Sequence, residues 1–188
     1  MIMPSLDWTV FAALPGSKSQ NLENLCRGLM RLHYGQFGQF KALSNQPGVE
    51  FHVKLTNACS LGQPPRWFGW QCKFHTRTQR GDLTAASKRD IEDSLRTTER
   101  ELPGITDWVL WTPYTLSRTD QDWFYSLPTS LTLHLWSEEE LDTYLSGEGL
   151  ILRNTYFGEL IVTPPQLERR HQESIHPRAM VGTGSPIC

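Results

Sequence analysis

The chain has 188 residues, of which 38% are hydrophobic and 20% charged, and its formal net charge is −2 at pH 7. This length and composition are ordinary for a globular protein with one substantial core, and the charge excludes a molecule that is basic throughout. No apolar run is long enough to cross a bilayer and no basic leader opens the chain, so we expect a cytoplasmic protein without membrane contact.

The first half of the chain predicts one helix and two strands. After an N-terminal arm (residues 1–16), apolar residues spaced three or four apart predict a helix over 17–33. Residues 35–48 are polar and end in Pro-Gly, which predicts a loop. Alternation predicts a strand over 49–53, and an aromatic-rich stretch predicts a second strand over 66–75.

The second half alternates helices and strands. The predicted elements are a helix over 83–102 with Asp90 on its apolar side, a strand over 107–112, a helix over 118–126, a strand over 131–136, a helix over 138–146 and a weaker element over 150–162. The strand over 107–112 is continuously apolar, which indicates burial on both faces. Ser137 and Glu140 predict a capping box at the start of the helix that follows.

This order predicts an α/β fold in which helices flank a mixed central sheet of about four strands. We expect one domain over residues 17–163, between the arm and a polar C-terminal linker or tail over 164–188. No internal repeat is present.

Two strands bring together a set of polar residues. Residues i and i+2 of a strand point to the same face, so Gln71 and Lys73 share a face of the second strand. If the two strands pair as a hairpin, Glu50 faces Gln71, and Glu23 on the first helix lies above them. Each residue alone also has an ordinary interpretation, as a solvent-facing glutamate or as a lysine that extends out of an apolar strand.

Together these residue types suit metal-assisted phosphodiester hydrolysis. The ligands we expect for Mg²⁺ are the Glu50 carboxylate, the Gln71 side-chain oxygen and the main-chain carbonyl of Cys72, because magnesium prefers oxygen. Such a metal lowers the pKa of bound water and polarises a phosphate. Lys73 is expected to orient the water and to offset charge on the phosphate oxygens.

The segments PGVEF and WQCKF resemble the PD-(D/E)XK nuclease signature. More narrowly, they are similar to the Mrr-like restriction-endonuclease domain at the N-terminus of bacterial antiphage STAND NTPases. Two further segments, WVLWTPYTLSRTDQDWF and LTLHLWSEEELDTYL, extend the resemblance to about residues 17–165. The resemblance implies a restriction-endonuclease-like αβββαβ core and a DNA endonuclease that depends on Mg²⁺, for which Mn²⁺ is expected to substitute.

The resemblance also assigns roles to individual residues. It implies that Glu50 and Gln71 occupy the two acidic metal-ligand positions, that Lys73 is the catalytic lysine and that Glu23 is the helix-borne acid of many members. Two positions depart from the commoner pattern: Glu50 replaces an aspartate, and Gln71 is neutral. The second departure removes one negative charge from the metal site and predicts a lower affinity for magnesium.

The region around this motif is locally basic. Between Pro64 and Arg100 there are eight Lys or Arg residues and five Asp or Glu residues. The candidates for contact with a DNA backbone are Arg77, Arg80, Lys88 and Arg89. The alternative is a solvated helix face with ion pairs such as Glu92–Arg96. No base-reading pattern is evident, so we expect low sequence specificity.

The expected partner is double-stranded DNA, and because a duplex has two strands to cut, we expect a homo-oligomer, either a dimer or a tetramer, when the protein is active. The resemblance implies an effector role in antiphage defence. Two alternatives stay open. One is a catalytically inactive module of the same fold that binds nucleic acid or a partner protein, which the neutral Gln71 favours. The other is a nuclease that acts on RNA.

The cysteines provide a last alternative. They are Cys26, Cys59, Cys72 and Cys188, and their spacing does not suggest a disulfide framework, so we expect free thiols. Cys72 and His75 have the spacing of half a zinc site, for which Cys59 or His52 would have to supply the rest. We favour packing or surface roles for these residues.

Overall fold

A computed structural model describes residues 6–43 and 48–158. The helices are α1 (Trp8–Ala12), α2 (Lys18–Tyr34), α3 (Ala85–Glu101), α4 (Arg118–Tyr125), α5 (Glu138–Tyr144) and α6 (Leu150–Phe157), with a 3-10 turn over Gly147–Gly149. The strands are β1 (Gly38–Ala42), β2 (Phe51–Leu55), β3 (Trp67–Cys72), β4 (Asp107–Trp111) and β5 (Thr132–Trp136). Within these residues no helix is both long and apolar enough to cross a membrane. The predicted tail over 164–188 lies outside the described residues.

The strands form one mixed sheet in the order β1-β2-β3-β4-β5. The pairs β1–β2 and β2–β3 are antiparallel, whereas β3–β4 and β4–β5 are parallel. Parallel neighbours need crossover connections, which α3 and α4 provide. This arrangement confirms the predicted α/β class with a mixed sheet flanked by helices.

Two apolar layers enclose the sheet. On one face, α2 packs together with buried residues of α1, α5 and α6. On the other face, the buried residues of α3 and α4 form a second cluster. β4 is buried along its whole length: Val109 and Trp111 join the first cluster, and Trp108 and Leu110 join the second. The prediction that this strand is buried on both faces is confirmed.

Side-chain caps set the starts of the main helices. Ser17, Thr84 and Ser117 each accept a main-chain N–H in the first turn of α2, α3 and α4, satisfying donors that have no partner inside the helix. The predicted capping box is confirmed at α5, where Glu140 Oε2 accepts the Ser137 N–H at 2.6 Å. The boundaries of these helices lie within two residues of the predicted ones.

Two short elements were not predicted. β1 lies inside the expected loop over 35–48, and its sequence GQFKA has only Phe40 as a strong strand former, so pairing with β2 creates it. α1 lies inside the expected arm, where Asp7 caps it and Phe11 is buried in the core. The sheet therefore has five strands rather than about four, and β2 begins two residues later than predicted.

Candidate functional site

A bend at Gly48 leads to Glu50, the residue that immediately precedes β2. Gly48 has a φ of +112°, and a Cβ there would lie 2.8 Å from Oγ1 of Thr98 on α3. Glycine is therefore needed both for the backbone conformation and for the close approach to the helix. The Glu50 N–H then donates to the Trp70 carbonyl at 2.9 Å. The bend thus fixes Glu50 against the second half of β3.

The strand register brings Glu50 next to Gln71. Phe51 pairs with Trp70, and antiparallel strands advance in opposite directions, so the following position joins Glu50 to Gln71. Oε2 of the Glu50 side chain accepts the main-chain N–H of Cys72 at 2.9 Å. The carboxylate is thereby held at the C-terminal end of β3.

The Glu50 carboxyl has an unusual charge environment. Burial raises its pKa to about 8; the hydrogen bond from Cys72 and the charge of Lys73 act in the opposite direction, and Glu23 raises the pKa further. A cation close to this carboxyl would favour its ionised form. Carboxyls with strongly perturbed pKa values are concentrated at functional sites.

Gln71 lies in β3, which ends at Cys72 rather than at the predicted residue 75, and Lys73 immediately follows the strand; both side chains reach α3. Gln71 is buried, and its Nε2 donates to Ser94 Oγ at 2.7 Å. Lys73 is about one-third exposed, and its Nζ donates to Asp90 Oδ2 at 2.9 Å. Both contacts can form together because the spacings are similar. Gln71 and Lys73 are two chain positions apart, about 6.6 Å in extended backbone, and Ser94 and Asp90 are four helix positions apart, about 6 Å.

Glu23 reaches the site from the other side of the sheet. It lies on α2, is partly buried, and accepts a hydrogen bond from Arg27 at 3.4 Å. Its charge raises the pKa of Glu50, so the two carboxyls lie close enough to interact. The structure therefore brings Glu50, Gln71 and Lys73 together at one strand end, with Glu23 as a neighbour on the opposite helical layer.

The Glu50 carboxyl and the Gln71 amide supply oxygen atoms of the kind that magnesium takes as ligands. Oε1 of Gln71 is buried and has no hydrogen-bond partner within residues 6–43 and 48–158, and buried polar oxygens ordinarily have one. The set offers one carboxylate and neutral oxygens; the described residues contain no group of three or more His, Cys, Asp or Glu that could hold a metal. Water and a substrate phosphate would have to complete the magnesium shell.

Cys72 contacts groups on both faces of the sheet. Its main-chain N–H binds Glu50, whereas its thiol is buried and hydrogen-bonds to Cys26 of α2, opposite Gln71 and Lys73. Burial raises the pKa of the Cys72 thiol, and Cys26 raises it further. Cys26, Cys59 and Cys72 are free thiols. Cys188 lies outside the described residues.

A cleft of about 300 Å³ opens beside Lys73. Its walls come from Ser19 at the start of α2, from residues 73–76 after β3 and from the first turns of α3, including Asp90. The Lys73–Asp90 ion pair therefore lies at a surface that a substrate can reach. Asp90 and Ser94 had no predicted role. For Asp90, its position as a carboxylate on the apolar side of the predicted helix was a feature that could have indicated one.

The four predicted DNA-contact residues have different surroundings. Lys88 pairs with the buried Asp120 at 2.7 Å and lies 4.9 Å from the ring centre of Trp123. Arg77 stacks over Tyr114 at 3.7 Å. Arg80 and Arg89 are exposed and form no ion pair in the described part of the chain.

No protein-family model matches this chain, and no curated protein matches it in sequence.

Proposed function

We propose that this protein is a metal-dependent DNA endonuclease with a restriction-endonuclease-like core, acting as the effector of an antiphage defence system. One observation carries the proposal: near the end of β3, a carboxyl group, an amide oxygen that has no hydrogen-bond partner among the described residues and a lysine on an open cleft are neighbours. Glu50 and Gln71 supply the oxygens, and Lys73 lines the adjacent cleft.

The order of elements supports the same proposal. The run α2-β1-β2-β3-α3-β4 has the αβββαβ order that the sequence resemblance implies. Glu50 immediately precedes the second strand of this run, Gln71 lies at the end of the third, and Lys73 follows it.

The residues divide the chemistry between them. Glu50, Gln71 Oε1 and the Cys72 carbonyl would hold Mg²⁺ or Mn²⁺, which supplies Lewis-acid activation of water and phosphate when bound. The Lys73 ammonium would hold a water in line with the phosphorus and offset charge that develops on the phosphate oxygens. Asp90 positions the ammonium in the absence of substrate. Glu23 would serve as the additional acid.

Double-stranded DNA is the proposed substrate. Arg80 and Arg89 are exposed on the segments that follow β3, where they can contact backbone phosphates with little sequence preference. Two cuts in a duplex need two sites, so a dimer or tetramer is the proposed active form. The free thiols of Cys26, Cys59 and Cys72 are consistent with the proposed cytoplasmic location.

A second candidate is an inactive module of the same fold that binds DNA or a protein. It is favoured by the neutral Gln71, whose amide is engaged with Ser94, because Glu50 is then the one acidic group among the three proposed metal ligands. Melting temperatures separate the two candidates, because a ligand that binds only the folded state stabilises it. Mg²⁺ or Mn²⁺ should raise the melting temperature of a live site, and Glu50→Ala should abolish the increase. An inactive module should not respond to metal.

The decisive experiment is cleavage of supercoiled plasmid by the full chain at high concentration, in Mg²⁺ or Mn²⁺ and in EDTA. We expect metal-dependent nicking or linearisation, reduced about 100-fold or more in Lys73→Ala, because the variant loses charge stabilisation at the phosphate. The matched control is Lys41→Ala, which removes an exposed lysine of β1 and should leave cleavage unchanged. Equal cleavage by Lys73→Ala would contradict the proposed site. No cleavage with DNA binding retained would favour the inactive module.

A further inference from the structure

A second, larger pocket lies next to the Lys73 cleft. It has a volume of about 460 Å³, within the range of about 300–1,000 Å³ typical of small-ligand sites. Phe74 and His75 line both cavities. The two cavities therefore share a wall in the segment that leaves β3.

The walls of this pocket combine aromatic rings with cations. Trp8, Phe74 and Tyr114 supply rings, and Lys18 and Arg77 supply positive charge. Neither cation forms an ion pair within residues 6–43 and 48–158. Rings for stacking beside cations for phosphate are the combination that binds single-stranded nucleic acid.

Arg77 is the most informative residue of the pocket. Its guanidinium lies 3.7 Å from the ring centre of Tyr114, and its side chain is exposed. The Arg77 backbone is held by a bridge to Leu83, and the Tyr114 hydroxyl donates to the His75 carbonyl at 2.8 Å. A planar guanidinium fixed on a ring in this way presents a flat outer surface on which a base can stack.

The remaining polar groups make the pocket suitable for a nucleotide rather than for a purely apolar molecule. Glu138 accepts the indole N–H of Trp8 at 3.3 Å and is the only carboxylate lining the pocket within the described residues. Lys18 and Arg77 outnumber it, which leaves a net positive charge. His75 is buried in the shared wall and adds none at neutral pH, because burial lowers its pKa to about 4.

We infer that this pocket binds an unpaired nucleotide of the DNA strand that passes Lys73, with its base stacked on Arg77. The inference rests on the proposed nuclease function and narrows its substrate to DNA that is single-stranded, frayed or distorted beside the cleavage point. A fully paired base cannot enter a pocket of this kind without leaving the stack, which costs a few kcal/mol.

The test is equilibrium binding in EDTA, with fluorescently labelled dT12 and a labelled blunt 12-base-pair duplex as probes of the full chain. Arg77→Ala should weaken binding of dT12 about tenfold, as expected for loss of one stacked base, and binding of the duplex less than threefold. Arg77→Lys should bind dT12 nearly as weakly as Arg77→Ala, because lysine keeps the charge but not the planar surface. The matched control is Arg100→Ala. Arg100 lies in the last turn of α3, whereas the cleft lies at the first turns, so this variant should bind both probes normally.

Several results would overturn the inference. Equal weakening of both probes by Arg77→Ala, or normal binding by Arg77→Lys, would reduce Arg77 to a phosphate contact. Displacement of dT12 by micromolar thymidine 5′-monophosphate would assign the pocket to free nucleotides instead. Because the assay contains no metal, its outcome is independent of cleavage: the plasmid experiment can fail while the pocket is confirmed, and cleavage can succeed while the pocket is refuted.

Discussion

Lys73 and His75 lie two positions apart after β3 but experience opposite conditions. Lys73 is partly exposed and bonded to Asp90. His75 is 9% exposed, and its Nε2 has no hydrogen-bond partner among the residues described. Burial lowers the pKa of His75 from 6.5 to about 4; Asp90 opposes this shift and Lys73 adds to it. The charge in the cleft at neutral pH therefore comes from Lys73 and Asp90.

This burial predicts a defined pH dependence of stability. Between pH 6.5 and about 4 the unfolded chain binds a proton at His75 that the folded protein does not, so stability falls as the pH falls through this window. His75→Gln should lose less stability than the wild type between pH 7 and pH 4, by on the order of 3 kcal/mol. Urea unfolding at a series of pH values measures it, and parallel curves for the two proteins would contradict the prediction.

The sequence indicated the site residues better than their partners. Gln71 and Lys73 are close in sequence, and a strand has a fixed period, so their shared face followed from spacing alone. The identity of their partners, Ser94 and Asp90, depends on how α3 lies across the sheet. No local sequence pattern specifies that packing. Lys88 illustrates the same limit, because the buried Asp120 with which it pairs is distant in sequence.

Among the helices and strands, those with strong local signals were predictable. α2, α3 and α5 have regular apolar spacing and side-chain caps, and β4 has an unbroken apolar run. β1 and α1 are five residues each and depend on neighbours for their order. Short elements of this kind are specified by packing and strand pairing rather than by propensity.

The bend that leads into β2 couples that strand to α3 and provides a test. Gly48 and Gly81 both have positive φ, +112° and +91°, but only at Gly48 would a Cβ meet the backbone of α3, 3.1 Å from the Thr98 nitrogen. A Cβ added at Gly81 would have no atom of another described residue within 4 Å, apart from its chain neighbours. Gly81→Ala should therefore lower the free energy of unfolding by about 1–2 kcal/mol, which is the cost of the left-handed backbone conformation alone.

Gly48→Ala should lower the free energy of unfolding by about 1–3 kcal/mol more than Gly81→Ala does, because the added methyl overpacks the contact with α3. It should also weaken metal-dependent cleavage, since the bend positions Glu50. Chemical denaturation of both variants and of the wild type measures the difference. Equal stability of the two variants would show that the bend moves away from α3 without cost, and the positioning role of Gly48 would be rejected.

Across the whole described chain, β4 links two apolar clusters that lie on opposite faces of the sheet. Leu29 of α2 is buried in one cluster and Ile91 of α3 in the other. No buried residue of the described ranges belongs to both clusters, yet alternate residues of β4 enter each. The two faces should therefore unfold together, while changes in one face leave packing in the other undisturbed.

We therefore expect a single cooperative transition with additive losses. Leu29→Ala should destabilise the protein by about 2–5 kcal/mol and Ile91→Val by about 0.5–1.5 kcal/mol, through lost burial and the cavities left behind. The double variant should equal the sum within about 0.5 kcal/mol, because the substituted side chains share no neighbours. Urea unfolding followed by both tryptophan fluorescence and far-UV circular dichroism measures this. A coupling energy well above 0.5 kcal/mol would mean that strain passes through β4, and non-coincident transitions would mean that the two faces unfold separately.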